Sequence, residues 1–332
     1  MIAVPVMEVS QVAEARRGAA TAARQHGFEE EEIGRVALVA TELATNLIKH
    51  GGGGEILVGP FEDGDDKGIE ILALDQGPGI ADVQACVADG FSSVGSRGQG
   101  LGAVIRKAQL FDIVSAPGIG TAILARLAAT TRRPAQGGAA PAIRFGAVSI
   151  AMAGEAVCGD GWTVARDGNI GTLCVVDGLG HGPHAAEASS EAIRVFHRFD
   201  RHQVPTLLDY IHGGLRATRG AAISIARVDP AGGKIVFAGV GNVAGLIAVD
   251  GETRHMVSMP GMAGYNVRRI QAFDYPFRHG LVILYSDGLT TGVSLARYPQ
   301  LAMAHPTLIA GVLYRDFSRH RDDATVLVGK WT

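Results

Sequence analysis

Apolar residues at Ile33, Val36, Ala37, Ala40, Leu43, Ala44 and Leu47 follow the i, i+3, i+4, i+7 spacing of a helix with one buried face. That helix is predicted to start near Glu29 and run to the glycines at 51–54. An earlier one is predicted through residues 12–27, capped by Ser10 and stopped by Gly27. The period then changes. Residues 55–61 and 69–75 read as a strand pair across a charged loop, and 111–127 as a second pair. Between the pairs, a glycine-rich stretch from Asp89 leads into a helix near residue 100.

Apolar periodicity is lost over 129–142, where Pro, Gly and Ala accumulate, so this stretch is predicted to be a linker. From Ile143 the chain alternates short apolar runs with turn residues, including Asp167-Gly168 and the run Pro230 to Gly233. A helix pair is predicted at 184–199 and 206–218, a late helix at 295–319, and a last strand at 321–331. Four apolar residues, Leu173 to Val176, form a buried run that stops at Asp177-Gly178. Two α+β domains are therefore expected, 1–128 and 143–332, with helices covering sheets.

Composition narrows the function. At 332 residues the chain can bury two cores, and 47% hydrophobic with 19% charged residues is an ordinary globular balance. A net charge of −3 provides no reason to expect nucleic acid or an anionic membrane as partner. The 46 glycines point to tight turns and backbone-lined ligand loops. Cys86, Cys158 and Cys174 lack metal-type spacing, and neither a signal pattern nor a long uncharged apolar run is present. A reduced cytoplasm is the expected setting. Self-association stays open.

Candidate chemistry falls into two groups. Glu42 and Asn46 lie one turn apart on one helix face. A carboxylate there can deprotonate a hydroxyl, and an amide oxygen can ligate the Mg²⁺ of a nucleotide. Asp75 ends a strand before Gly77-Pro78-Gly79, which serves either as a turn or as a place where a flat base meets an acceptor. Gly98, Gly100 and Gly102 precede or enter a helix, whose N–H groups suit phosphate. In this order ELATN, DQGPGI and GSRGQGLGAV resemble the nucleotide boxes of the GHKL (Bergerat) ATP-binding fold, an α/β sandwich. Within it they resemble the RsbT-type serine kinases of bacterial stress responses, which are related to anti-sigma-factor kinases. The resemblance spans nearly all of 1–128. It implies Glu42 as general base, Asn46 as Mg²⁺ ligand and Asp75 as adenine contact. It also implies Gly77 and Gly79 against the base, Gly98, Gly100 and Gly102 at the phosphates, and Thr121 near the adenine.

In the second domain, Asp160, Asp177, Asp287 and Asp322 each stand at a strand edge beside glycine or another acid. Converging carboxylates raise one another's pKa unless cations offset them. Two divalent ions about 4 Å apart need such a cluster and activate a water toward a phosphate ester. GDG, VDGLGHG, SDGL and RDDATVLV, in this order, resemble the metal motifs of PP2C-type phosphatases, an α-β-β-α sandwich. The SpoIIE branch and its short RsbX-type form are the nearest variety. The resemblance implies two Mn²⁺ or Mg²⁺ ions. Asp160 would bridge both, Asp177 and the Gly178 carbonyl would hold one, and Asp287 and Asp322 the other, with Asp323 adjacent. The phosphate-gripping arginine of eukaryotic relatives has no counterpart on the strand before Asp160 except Arg144, which leaves the phosphate to the metals. His181 and His184 read as turn residues, because such sites are mostly oxygen-lined.

Together the resemblances imply a fusion of an ATP-dependent serine/threonine kinase-like module with an opposing Mg²⁺/Mn²⁺ phosphoserine/phosphothreonine phosphatase. The implied target is a STAS-domain protein of anti-anti-sigma or stressosome type in a partner-switching pathway. The alternative is a phosphatase whose first domain only senses nucleotide or grips a partner. An ATPase driving conformational change fits less well, since the lid is short and no transducer domain follows.

Overall fold

The computed structural model describes residues 1–64, 66–88, 100–129, 143–298 and 300–332. Two compact units emerge: Met1–Ala139 with Met303–Arg315, and Ala140–Ala302 with Asp316–Thr332. The predicted linker lies outside the described residues from position 130 on.

In the first unit, β1 (Ile2–Val6), β2 (Gly54–Asp63), β3 (Asp66–Leu74), β4 (Leu110–Ala116) and β5 (Gly120–Ala128) form one antiparallel sheet, ordered β1-β2-β3-β5-β4. Helices α1 (Val9–Gln25) and α2 (Glu30–Asn46) cover one face. Ile33, Val36, Val39, Ala40, Leu43 and Ala44 are buried there against Ile56, Val58, Ile71 and Ala125. Glu8, rather than Ser10, caps α1: the Gln11 side chain accepts from the Glu8 amide at 3.0 Å. Ser10 Oγ instead donates to the Glu8 carboxylate. The α2 helix ends at Asn46 in a π-helical turn, Leu47–Gly51, closed by Gly52 with φ +70°. Two short helices follow, α3 (Val83–Ala88) and α4 (Gly100–Lys107), and α4 packs on α2.

The opposite sheet face carries Leu57, Leu72, Leu74 and Leu124, all fully buried. It receives α7 (Pro306–Phe317), a helix drawn from far along the chain, all but two residues of which belong to this unit. A Cβ built on Gly311 would lie 3.3 Å from Leu72, so the helix backbone rests close on the sheet. Arg126 Nε donates to the buried Glu70 carboxylate at 2.9 Å, and its Nη2 donates to Thr307 Oγ1 at 3.0 Å.

The second unit stacks two five-stranded antiparallel sheets. One orders β13-β10-β9-β8-β7, from β7 (Asp160–Asp167), β8 (Ile170–Gly178), β9 (Ala221–Asp229), β10 (Lys234–Val240) and β13 (Phe273–Pro276). The other orders β12-β11-β14-β15-β6, from β6 (Ile143–Ile150), β11 (Ala244–Val249), β12 (Glu252–Met256), β14 (Gly280–Tyr285) and β15 (Ala324–Trp331). Leu173, Val175, Phe237, Val282, Leu284 and Leu327 fill the space between them. Helices α5 (Pro183–Phe199) and α6 (Val204–Gly214) cover the outer face of the first sheet through Val176, Phe196, Leu207 and Ile223.

The late helix is shorter than the sequence predicts. Pro306 occupies its first turn, where a missing N–H costs nothing, and the residue before a proline is biased away from the helical region. Strand β12 carries no apolar alternation to read, and β1 and β13 are only five and four residues long. Among the described residues, no helix is long and apolar enough to cross a membrane.

Candidate active sites

Helix α2 presents Glu42 and Asn46 toward the start of α4. A Cβ on Gly100 would stand 3.0 Å from Glu42 Oε2 and 3.6 Å from Asn46 Oδ1. Glycine is therefore what lets a helix N-terminus, a carboxylate and an amide share one spot. Gly102 lies in the same first turn of α4; Gly98 lies outside the described residues.

Asp75, just past β3, is buried. Its Oδ1 accepts from the Gly77 amide at 2.9 Å and the Thr121 amide at 3.0 Å. Its other oxygen faces Gly51, where an added Cβ would lie 3.1 Å away. Only a bare backbone at Gly51 fits this close beside the fixed acceptor. Gly77 nests against the Gly51 carbonyl, and Gly79, with φ +71°, abuts the Ala116 carbonyl. Thr121 Oγ1 pairs with Ser115 Oγ at 2.8 Å. The first unit thus brings together a fixed acceptor and, at a helix start, a carboxylate and an amide, from segments more than 20 residues apart in sequence.

In the second unit, Asp160 opens β7 directly across the ladder from Asp177 near the end of β8. Asp160 is 8% exposed, and its Oδ2 is buried with no hydrogen-bond partner. Burial raises its pKa first, and Asp323 and Asp322 add to the shift; the hydroxyls of Ser286 and Thr325 oppose it. Asp177 is raised more, by burial and then by the charges of Asp160, Asp287 and Asp322, with a hydrogen bond to Asp287. Four carboxylates from positions spread over 160 to 322 therefore feel one another.

Neighbours define the individual roles. Asn242, in the turn after β10, donates its amide to Asp287 Oδ2. Asp323 accepts from the Met152 amide at 2.7 Å and the Gly159 amide at 2.8 Å, so both its oxygens clamp the loop leading to Asp160. A Cβ on Gly178 would fall 2.2 Å from the Ala185 carbonyl, which keeps that backbone tight against α5. His181 Nδ1 lies 2.6 Å from Glu155, and His184 lies 3.8 Å from Glu187. Arg144 sits opposite Lys330, six residues along β6 from Ile150, which faces Ala324 beside the acids. At strand rise this is about 20 Å away, too far to serve them.

Among the described residues no three acidic, histidine or cysteine side chains close around a single point. The site is a rim of carboxylates. Its buried Asp160 oxygen without a partner and its all-oxygen donors nevertheless fit a hard divalent cation. Asn242 was not singled out in the sequence; its only signal there is the Gly-Val-Gly-Asn turn following a strand.

Comparisons with known proteins give two separate matches along the chain. The family model described as histidine kinase-like ATPase domain matches residues 6–131, and that described as stage II sporulation protein E (SpoIIE) matches 168–332. The serine/threonine-protein kinase RsbT of Bacillus subtilis (strain 168) is 36% identical over 122 residues, 37% of this chain and 92% of RsbT. A chain solved in work on the bacterial stressosome, a modular system adapted to control secondary messenger signalling, superposes with a TM-score of 0.53. It is 30% identical, over 57% of this chain and 99% of that one. RsbX in complex with magnesium superposes with a TM-score of 0.50 at 20% identity, over 57% of this chain and 96% of RsbX.

Proposed function

The chain belongs to the histidine kinase-like ATPase family of RsbT in its first part and to the SpoIIE-type PP2C phosphatases in its second, and we propose that it sets and removes one phosphate mark on a partner protein. The observation that carries the phosphatase half is the ladder pair Asp160–Asp177, with its orphaned buried oxygen and with Asp287 against Asp177. Asp160, Asp177 and the Gly178 carbonyl, with Asp287 and Asp322, would hold two Mn²⁺ or Mg²⁺ ions. When bound, such ions supply charge stabilisation and an activated water for attack on a phosphate ester. Asn242 orients the Asp287 carboxylate, and Asp323 contributes by fixing the loop before Asp160 as well as by any bond to a metal.

In the first unit, ATP would lay its base against Gly77 and Gly79. Its exocyclic amine would donate to Asp75, and Thr121 would stand close by. Gly98, Gly100 and Gly102 would take the phosphates, with Asn46 holding the Mg²⁺ of the nucleotide. Glu42 would accept the proton of an incoming serine or threonine hydroxyl. A STAS-domain phosphoprotein is the partner class that the RsbT relative and the stressosome chain support. A cytoplasmic setting accords with ATP use and with free thiols at Cys86, Cys158 and Cys174.

Asp177→Ala and Asp287→Ala should each abolish hydrolysis of p-nitrophenyl phosphate in Mn²⁺; activity retained in both sinks the metal assignment. Glu42→Ala should bind ATP while losing phosphate transfer to a STAS-domain protein, read by mass spectrometry of the partner. Transfer that survives in Glu42→Ala removes Glu42 as base. A wild-type chain that binds ATP and transfers nothing makes the first domain a nucleotide sensor.

A further inference from the structure

A phosphomonoester carries two negative charges toward a rim built of carboxylates. Any cation that this chain adds there bears on how substrate is held. Arg144 is out of range, and the two nearby histidines are engaged with glutamates. Arg319 and Arg321 flank the rim in sequence, and a further cation reaches it from another loop. Arg219 occupies the turn between a short helical turn at Leu215–Ala217 and β9, and its side chain is exposed. Its Nη1 comes within 3.5 Å of where a Cβ on Gly180 would be, against the loop that follows Asp177. That loop abuts the acids. The Gly180 carbonyl and Asp323 Oδ2 lie 3.5 and 2.8 Å from the same Cβ position, that of Gly159.

The backbone that presents Arg219 is pinned from two sides. The Leu179 amide donates to the Gly220 carbonyl at 3.0 Å, and Ala221 faces Gly178 across the ladder. Ala221 also bridges to Ala263, and Gly220, with φ +80°, has the Ala263 carbonyl 2.6 Å from where its Cβ would be. A larger residue at 220 would push this strut away from the loop. The guanidinium is left at liberty. Among the described residues it makes no hydrogen bond and no ion pair. An arginine held at the base, unpaired at the tip and set beside a carboxylate rim is placed to meet an incoming anion.

We propose that Arg219 grips the phosphoryl group of the phosphoserine or phosphothreonine substrate, in a role the sequence left to metals alone. The assignment rests on the phosphatase reading above. Its chemistry is the planar fork of a guanidinium, which donates two parallel N–H bonds to phosphate oxygens, as a lysine ammonium does not. Substrate would then lie between the metal-binding acids and a residue from the loop before β9.

The test uses the full chain with Arg219→Ala and Arg219→Lys. Calorimetry of Mn²⁺ binding should be the same in all three proteins. Inorganic phosphate titrated into the Mn²⁺-loaded chain should bind about tenfold more weakly to Arg219→Ala, with partial recovery in Arg219→Lys. KM for a phosphoserine peptide should rise by a similar factor, with kcat changing less. Unchanged phosphate affinity and KM in Arg219→Ala overturn the proposal, as does a wild-type chain that binds no phosphate. A wild-type chain that binds phosphate through Arg219 yet hydrolyses no phosphomonoester overturns the phosphatase reading and leaves the arginine in place.

Discussion

The carboxyl of Asp177 is pushed up to about 9, and that of Asp160 to about 7, each chiefly by burial and then by neighbouring acids. Both values lie above the ordinary 3.8 that the groups regain on unfolding, so the folded chain binds extra protons there. The associated stability is complete below about pH 4 and is lost as pH rises through about 7 for Asp160 and about 9 for Asp177. In EDTA, Tm should therefore fall between pH 5 and pH 9, and Asp177→Asn should flatten the upper part of that fall. Metal ligands bind as carboxylates, so Mn²⁺ should raise Tm more at pH 8 than at pH 5. A Tm in EDTA that stays level across this range would refute the account. At this scale the acids can be singled out in the sequence, because a carboxylate beside glycine at a strand end is a local signal. Asn242 and Arg219 stayed hidden, because their roles come from what lies across a turn.

Among the elements, α7 carries the clearest energetic signature. Arg126, 6% exposed, stacks over Phe61 at 4.5 Å and ties Glu70 of β3 to Thr307 of α7. Burial pushes the Glu70 pKa up against the lowering effect of Arg126, so the pair is held out of water at a cost that only mutual hydrogen bonding offsets. Arg126→Met leaves Glu70 buried without its partner and should cost about 3–5 kcal/mol. Thr307→Val removes two hydrogen bonds, one accepted from Arg126 and one donated to Glu70, and should cost about 1–3 kcal/mol. Urea unfolding of the full chain reads both. A smaller loss in Arg126→Met than in Thr307→Val contradicts this ranking. The apolar period located α2, whose buried face is almost the one expected, yet it overran α7 at the N-terminal end, where Pro306 resets the backbone. Short strands such as β12 were missed because four of its five residues are exposed and leave no alternation to read.

For the molecule as a whole, the compact units do not follow chain order. The first takes Met303–Arg315 from the distal part of the chain, and that segment reaches the backbone at Asp75: Arg315 Nη1 donates to the Asp75 carbonyl at 2.6 Å. Residues 1–142 expressed alone would lack α7 over Leu72 and Leu74. Such a fragment should bind a hydrophobic dye and melt well below the full chain. A fragment that melts with the full chain and binds no dye would show that α7 adds nothing to the first unit. No pattern in residues 1–128 announces that its sheet needs a helix from beyond residue 300, because the apolar stretch Ile71–Leu74 of β3 reads the same whichever segment covers it.

What the sequence determined by itself is which residue types each box offers. A helix-spaced Glu and Asn, an Asp before Gly-Pro-Gly, and acids at strand ends are local requirements, met by residues a few positions apart. Tertiary structure alone decided which of them meet. The β7–β8 register set Asp160 opposite Asp177, the clamp on Asp323 fixed the loop before Asp160, and the pinned turn before β9 brought Arg219 to Gly180. Those contacts join residues from 17 to 164 positions apart. Sheet pairing and loop packing create them, and periodicity along the chain carries no record of either.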